Sequence, residues 1–88
     1  MAKTFTTASG VSLKVRRLKW KEFKMYRKRQ QELLQAGEDD TELVEEVISK
    51  VVEAPENVDI FEELDVDEIL RIFTYAMGGP EEDLQLKN

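Results

Sequence analysis

The sequence predicts an α+β fold, mostly α: an N-terminal β-hairpin followed by three main helices in a small bundle. Three observations predict it. Apolar and polar residues alternate near the N-terminus, the period of a half-buried strand. Three later segments repeat their apolar residues at helical spacing instead. Glycine or proline closes each of those segments, at Gly37, Pro55 and Gly78-Gly79-Pro80.

The hairpin is expected to pair about 3–8 with 11–18. Val11, Leu13 and Val15 point one way and Ser12, Lys14 and Arg16 the other. Thr4, Phe5, Thr6 and Thr7 favour strand geometry, and Ala8-Ser9-Gly10 supplies a turn. Two strands alone are marginal in water, so the hairpin has to lean on helices. The first helix is expected over 19–36, a stretch without Gly, Pro or β-branched residues. There Trp20, Phe23, Tyr26 or Arg27, Gln30 and Leu33 or Leu34 follow helical spacing, and Gly37 takes the C-terminal cap. Its basic residues sit early, where the helix dipole disfavours them, so local helix energetics do not explain their placement. The second helix is expected over 40–53, opened by the capping-box spacing Asp39-x-x-Glu42 and ended by Ala54-Pro55. Leu43, Val44, Val47, Ile48, Val51 and Val52 form its apolar side. A connector over 60–64 is long enough for one helical turn. Asp65-x-x-Glu68 then caps a helix over 65–77, with Leu64 and Ile69 placed for a hydrophobic staple. Residues 1–79 are expected to form a single domain, and 80–88 a polar, flexible tail.

At 88 residues and a net charge of −6, the chain has room for one small domain. Such a domain buries only about 60–65% of its unfolded surface, so self-association or a partner is expected. The charge is uneven. Residues 1–31 hold ten of the thirteen basic residues and one acid, Glu22, for a sum of +9; the remainder sums to −15. With no Cys there is no disulfide framework or thiol nucleophile, and with no His the commonest general base and metal ligand are missing. No apolar run approaches the roughly 20 residues of a membrane span, and the N-terminus lacks the apolar core of a secretory signal. A cytoplasmic protein without membrane contact is expected. An EF-hand counted from Asp65 would need Gly at position 6 and Glu at position 12, where this chain has Leu70 and Ala76. The acidic clusters are therefore read as helix caps. No glycine spacing matches a phosphate loop. Neither enzyme activity, nor a catalytic residue, cofactor or metal, is expected.

Two surfaces are candidates for binding. The first is basic and includes Lys14, Arg16, Lys21, Lys24 and Lys28. Interleaved with Trp20, Phe23 and Tyr26, these cations could hold phosphates and stack bases. They could equally complement the acidic helices of the same chain, or an acidic surface on another copy or partner. The net charge opposes long-range attraction to nucleic acid, which makes that partner the less expected one. The second surface is the last helix. Residues 69, 70, 73, 76 and 77 suffice for an inner face, and Ile72 and Tyr75 extend the apolar surface beyond it. Ile72, Phe73, Tyr75 and Met77 are the expected partner-binding residues, unless the hairpin and connector cover them.

The opening MAKTFTTASGVSLKVRRLKWKEF resembles the start of tail assembly chaperones of long-tailed bacteriophages and prophages. In those proteins a short hairpin leads into a hydrophobic-x-Trp-x-x-Phe segment, here Leu18-Lys19-Trp20-Lys21-Glu22-Phe23. The acidic amphipathic helix and the closing IL-x-IF-x-x-AM-GG run, Ile69 to Gly79, are similar in order and length, so the resemblance covers roughly residues 1–79. It implies a small, mostly helical, non-enzymatic protein. Such a protein would bind the tape measure protein, and tail tube subunits as a further client, during tail assembly and be absent from the mature virion. The resemblance carries no catalytic residues and no residue-level binding signature. Two other readings stay open: a nucleic-acid-binding regulator using the basic third, and a structural tail or head–tail connector subunit.

Overall fold

A computed structural model describes residues 2–84, and their elements follow the expected order. Strands β1 (Lys3–Thr6) and β2 (Ser12–Val15) form an antiparallel hairpin with Phe5 opposite Leu13. The period-2 pattern buries Phe5, Leu13 and Val15 on one face. The turn closes when Gly10 N–H donates to the Thr7 carbonyl at 3.0 Å and Thr7 N–H to the Val11 carbonyl at 2.8 Å. Gly10 takes φ +96°, a conformation that disfavours residues with a Cβ. The hairpin is shorter than the expected 3–8 with 11–18, because its second arm leaves β1 for other partners. Arg16 N–H donates to the Val51 carbonyl at 3.0 Å, and Leu18 N–H to the Ala76 carbonyl at 3.1 Å.

Helix α1 spans Trp20–Gln35 and α2 Thr41–Val51. A two-residue strand β3 (Val52–Glu53) follows, pairing antiparallel with β2 to give the sheet order β1-β2-β3. This corrects the helix expected over 40–53. Val52 is β-branched and Pro55 lies close behind, so the chain leaves helical geometry two residues early and adds to the sheet. The expected capping box at Asp39 and Glu42 is also absent. Asp40 is the cap residue, and Asp39 accepts from Thr41 N–H at 3.0 Å instead.

A single turn, α3 (Ile60–Glu63), precedes α4 (Val66–Ala76). Here the capping box forms as expected. Glu68 N–H donates to Asp65 Oδ1 at 2.8 Å, and Asp65 N–H to Glu68 Oε1 at 3.0 Å. The other oxygen of Glu68 accepts from Ala8 N–H at 2.9 Å, which ties the hairpin turn to the start of α4. Helices α1 and α4 end alike. Glu38 N–H reaches the Leu33 carbonyl, and Gly79 N–H the Thr74 carbonyl, with Gly37 and Gly78 at positive φ. These are Schellman endings.

One apolar cluster joins Phe5, Leu13 and Val15 to Tyr26, the inner side of α2 (Leu43, Val44, Val47, Ile48, Val51), Leu64, and Ile72, Tyr75 and Ala76 of α4. Residues Glu81–Leu84 form a 3₁₀ turn whose Leu84 is buried in that cluster. The stretch expected to be a polar tail over 80–88 therefore begins as part of the fold. Residues 85–88 lie outside the described residues.

Candidate functional site

The expected partner face of the last helix is only half available. Ile72 is 0% and Tyr75 2% exposed, both in the core, whereas Phe73 and Met77 are half-buried. Tyr75 is further covered by Arg17, whose guanidinium lies 4.1 Å from the ring centroid and donates to the Tyr75 and Gly79 carbonyls. Ile72 and Tyr75 are thus corrected from partner residues to core residues. The physical reason lies in the width of the apolar arc on α4. With apolar residues at 66, 69, 70, 72, 73, 75, 76 and 77, periodicity leaves the helix free to rotate. Glu68 decides. Its carboxylate finds two backbone donors inside the fold, so the side carrying Glu68, Ile72, Tyr75 and Ala76 turns inward.

That rotation leaves a second apolar stripe facing out. Val66, Leu70, Phe73 and Met77 recur at i, i+4, i+7 and i+11, on one line along α4. Val66 is 74% and Leu70 49% exposed. Helix α1 has two faces as well. Tyr26 is its only fully buried side chain, while Trp20, Phe23, Arg27, Gln30 and Leu34 follow one another at alternating steps of three and four. Trp20 is 69% and Leu34 66% exposed. The Trp20 and Phe23 rings stack with centroids 5.6 Å apart, and the Arg27 guanidinium lies 5.9 Å from the Phe23 centroid.

The two stripes meet only in part: Phe73 and Met77 face α1 across a groove, whereas Val66 and Leu70 lie beside the start of α2. The groove's central depression, about 590 Å³, is lined by Phe23, Arg27, Gln30, Gln31 and Leu34 of α1 and by Phe73 and Met77 of α4. Toward the N-terminus of α1, a hollow of about 270 Å³ lies between Trp20, Phe23 and Met77. Toward the N-terminus of α4, one of about 290 Å³ lies between Val66, Ile69 and Leu70 and the start of α2, with Asp40 and Glu45 on its wall. Gln30 donates to Asp40 at 3.3 Å, where the α1 wall passes into the α2 wall.

Part of the basic third is neutralised inside the chain. Arg16 pairs with Glu22 at 3.1 Å and 3.3 Å, Lys50 approaches Glu22 at 3.9 Å, and Lys19 N–H donates to Glu22 at 2.8 Å. Foremost the Arg16 hydrogen bonds, then the one from Lys19, lower the Glu22 pKa to about 2. Arg29 pairs with Glu46 at 3.1 Å, and Lys3 with Glu81 at 3.0 Å. The buried Tyr26 hydroxyl donates to Glu46 at 3.1 Å. Burial, followed by that hydrogen bond, raises the Tyr26 pKa, and Arg29 holds that of Glu46 below the usual carboxylate range. Arg16 is therefore a structural cation, a correction to its place in the expected basic surface. Lys14, Lys21, Lys24 and Lys28 are exposed and form no salt bridge among the described residues. Lys21, Lys24 and Lys28 share the outer side of α1, while Lys14 stands on the sheet opposite Glu53.

Among the described residues no group of three or more Asp or Glu side chains is placed to hold a metal ion, and no helix is long and apolar enough to cross a membrane. Comparisons with protein-family models, with curated proteins and with solved structures find no match. Sequence reasoning put the apolar partner face on the last helix alone and read Trp20 and Phe23 only as part of the basic surface. The signal for an α1 wall was present in the spacing 20, 23, 27, 30 and 34, which repeats as a second seam beside the one carrying Tyr26 and Leu33.

Proposed function

We propose that this protein is a non-enzymatic tail assembly chaperone of a long-tailed phage or prophage. It binds the tape measure protein, with tail tube subunits as a further client, in the host cytoplasm and does not enter the finished virion. The observation that carries this reading is the open apolar groove between α1 and α4. Beside it Trp20, Leu34, Val66 and Leu70 are exposed, on a domain that leaves no buried side-chain polar atom without a partner among the described residues. Exposed apolar surface flanked by charge is what a protein needs to shield a long, aggregation-prone helical client while staying soluble. The resemblance of residues 1–79 to this family points the same way.

The test is co-expression with the tape measure protein of the same phage or prophage. The wild-type chain is expected to keep that protein soluble and to co-purify with it. Leu34→Asp combined with Leu70→Asp alters two exposed positions, so the circular dichroism spectrum should be retained and capture lost. Failure of the wild-type chain to capture the client overturns the function; capture undiminished in the double variant overturns the groove. The exposed row Lys21, Lys24 and Lys28 beside Trp20 favours a second reading, a nucleic-acid-binding regulator. A gel shift at low salt that collapses at 0.2 M salt would support it, and no shift at low salt excludes it.

A further inference from the structure

Positive charge gathers around Trp20. Residues 16–29 hold eight basic residues and one acid, Glu22. Arg16, Arg17 and Arg29 are engaged within the fold, but Lys19, Lys21, Lys24 and Lys28 are exposed and form no salt bridge among the described residues. Lys24 follows Trp20 by one helical turn, and Arg17 lines the hollow of about 270 Å³ beside the indole ring. Trp20 itself is 69% exposed. An occupant of this surface has to bring negative charge together with an apolar group.

The same chain carries that combination elsewhere. Residues 54–70 hold seven acids and no base, so the two stretches sum to +7 and −7. Asp67 pairs with Arg71, and Glu68 is buried against backbone donors. Glu56, Asp59, Glu62 and Asp65 are exposed and form no salt bridge among the described residues. Phe61, on the single turn α3 between Asp59 and Glu62, is an exposed aromatic ring. Among the described residues no salt bridge joins 16–29 to 54–70, so the fold holds these stretches apart instead of cancelling them. An acidic turn with an aromatic ring at its centre matches a basic surface with an aromatic ring and an open hollow, and every copy supplies both. The net charge of −6 opposes the approach of two copies at long range. At 0.1 M salt, charges are screened beyond about 10 Å, which leaves the local attraction and removes most of the distant repulsion.

We infer that the basic surface around Trp20 docks a second copy of this chain, taking that copy's acidic turn at 56–65 with Phe61 seated beside Trp20. This goes beyond the chaperone reading and does not rest on it.

Sedimentation equilibrium on nuclease-treated protein tests it. At 0.1 M NaCl the chain is expected to exceed its single-chain mass in a concentration-dependent way. At 1 M NaCl, where screening reaches down to about 3 Å, the association should weaken about tenfold or more. Trp20 is the single tryptophan, so its fluorescence should be shielded from acrylamide in the associated state and accessible in 1 M salt. Lys21→Glu with Lys24→Glu, and Glu56→Lys with Glu62→Lys, change exposed side chains only, so both variants should keep the circular dichroism spectrum. Each alone is expected to run as a single chain. Mixed in equal amounts they should associate again, because each reversed surface then meets opposite charge on the other variant. A wild-type chain that stays single at 0.1 M NaCl, association unchanged at 1 M, association retained in either variant alone, or no recovery on mixing overturns the inference. So does association that nuclease abolishes, because the basic surface then holds nucleic acid. Tape measure capture is read separately and is decided by none of these results.

Discussion

Glu22 is the only acid in the first 31 residues, and it gathers cations from two elements. It accepts from Lys19 at the start of α1, pairs with Arg16 behind β2 and attracts Lys50 of α2. It also offsets the unfavourable placement of basic residues early in α1. Its folded pKa, about 2, lies below the unfolded value of 4.5, so its stabilisation is complete above pH 4.5 and fades as the pH falls toward 2. Glu22→Gln keeps an acceptor for Lys19 but loses the charge. With the side chain 23% exposed, screening limits the loss to about 1–2 kcal/mol at pH 7. Urea titrations should show that deficit at pH 7 and a converging stability of the two proteins between pH 4.5 and 2.

At the scale of elements, the glycine-closed ends of α1 and α4 were the most legible part of the sequence. Gly37 and Gly78 occupy the positive-φ positions that their placement after an apolar run implied. A Cβ at Gly78 meets nothing within 4 Å, so Gly78→Ala is a purely conformational change. It should cost about 1 kcal/mol, read as a drop in Tm, through the left-handed backbone alone. What was not legible is instructive. Val52 and Glu53 carry a helical pattern locally, yet the sheet claims them, because β2 offers partners, Val15 for Val52 and Lys14 for Glu53, that no local window contains. The rotation of α4 was hidden for a similar reason. Glu68 reads only as the capping-box partner of Asp65 until its long-range partner, Ala8 N–H, is known. The groove inherits this limit. Phe73 and Met77 could be chosen from the apolar excess of one helix, but Trp20, Leu34 and Arg27 belong to the site only once α1 lies beside α4.

Across the whole molecule, burial is unequally shared. Helix α2 buries five side chains in the core and α1 one, and a fully buried aliphatic side chain is worth about 1.5–3 kcal/mol. Hydrogen exchange followed by mass spectrometry should therefore find α1 amides opening ahead of those of α2, and a bound client should slow α1 most. The wall of the groove is thus also the part of the fold with most to gain from an occupant. The charge asymmetry has a matching arrangement: three ion pairs hold Arg16, Arg29 and Lys3 within the chain, while the outer lysines of α1 remain in solvent.

The two backbone hydrogen bonds made by the segment between β2 and α1 have a consequence for the order of events during synthesis. Arg16 waits for Val51 and Leu18 for Ala76, so the segment between β2 and α1 cannot complete its backbone bonds until the last helix has been made. At about 5–20 residues per second, the ribosome takes about 3–12 s to travel from Arg16 to Ala76. For that interval the newborn chain presents a cationic segment whose two long-range backbone partners do not yet exist.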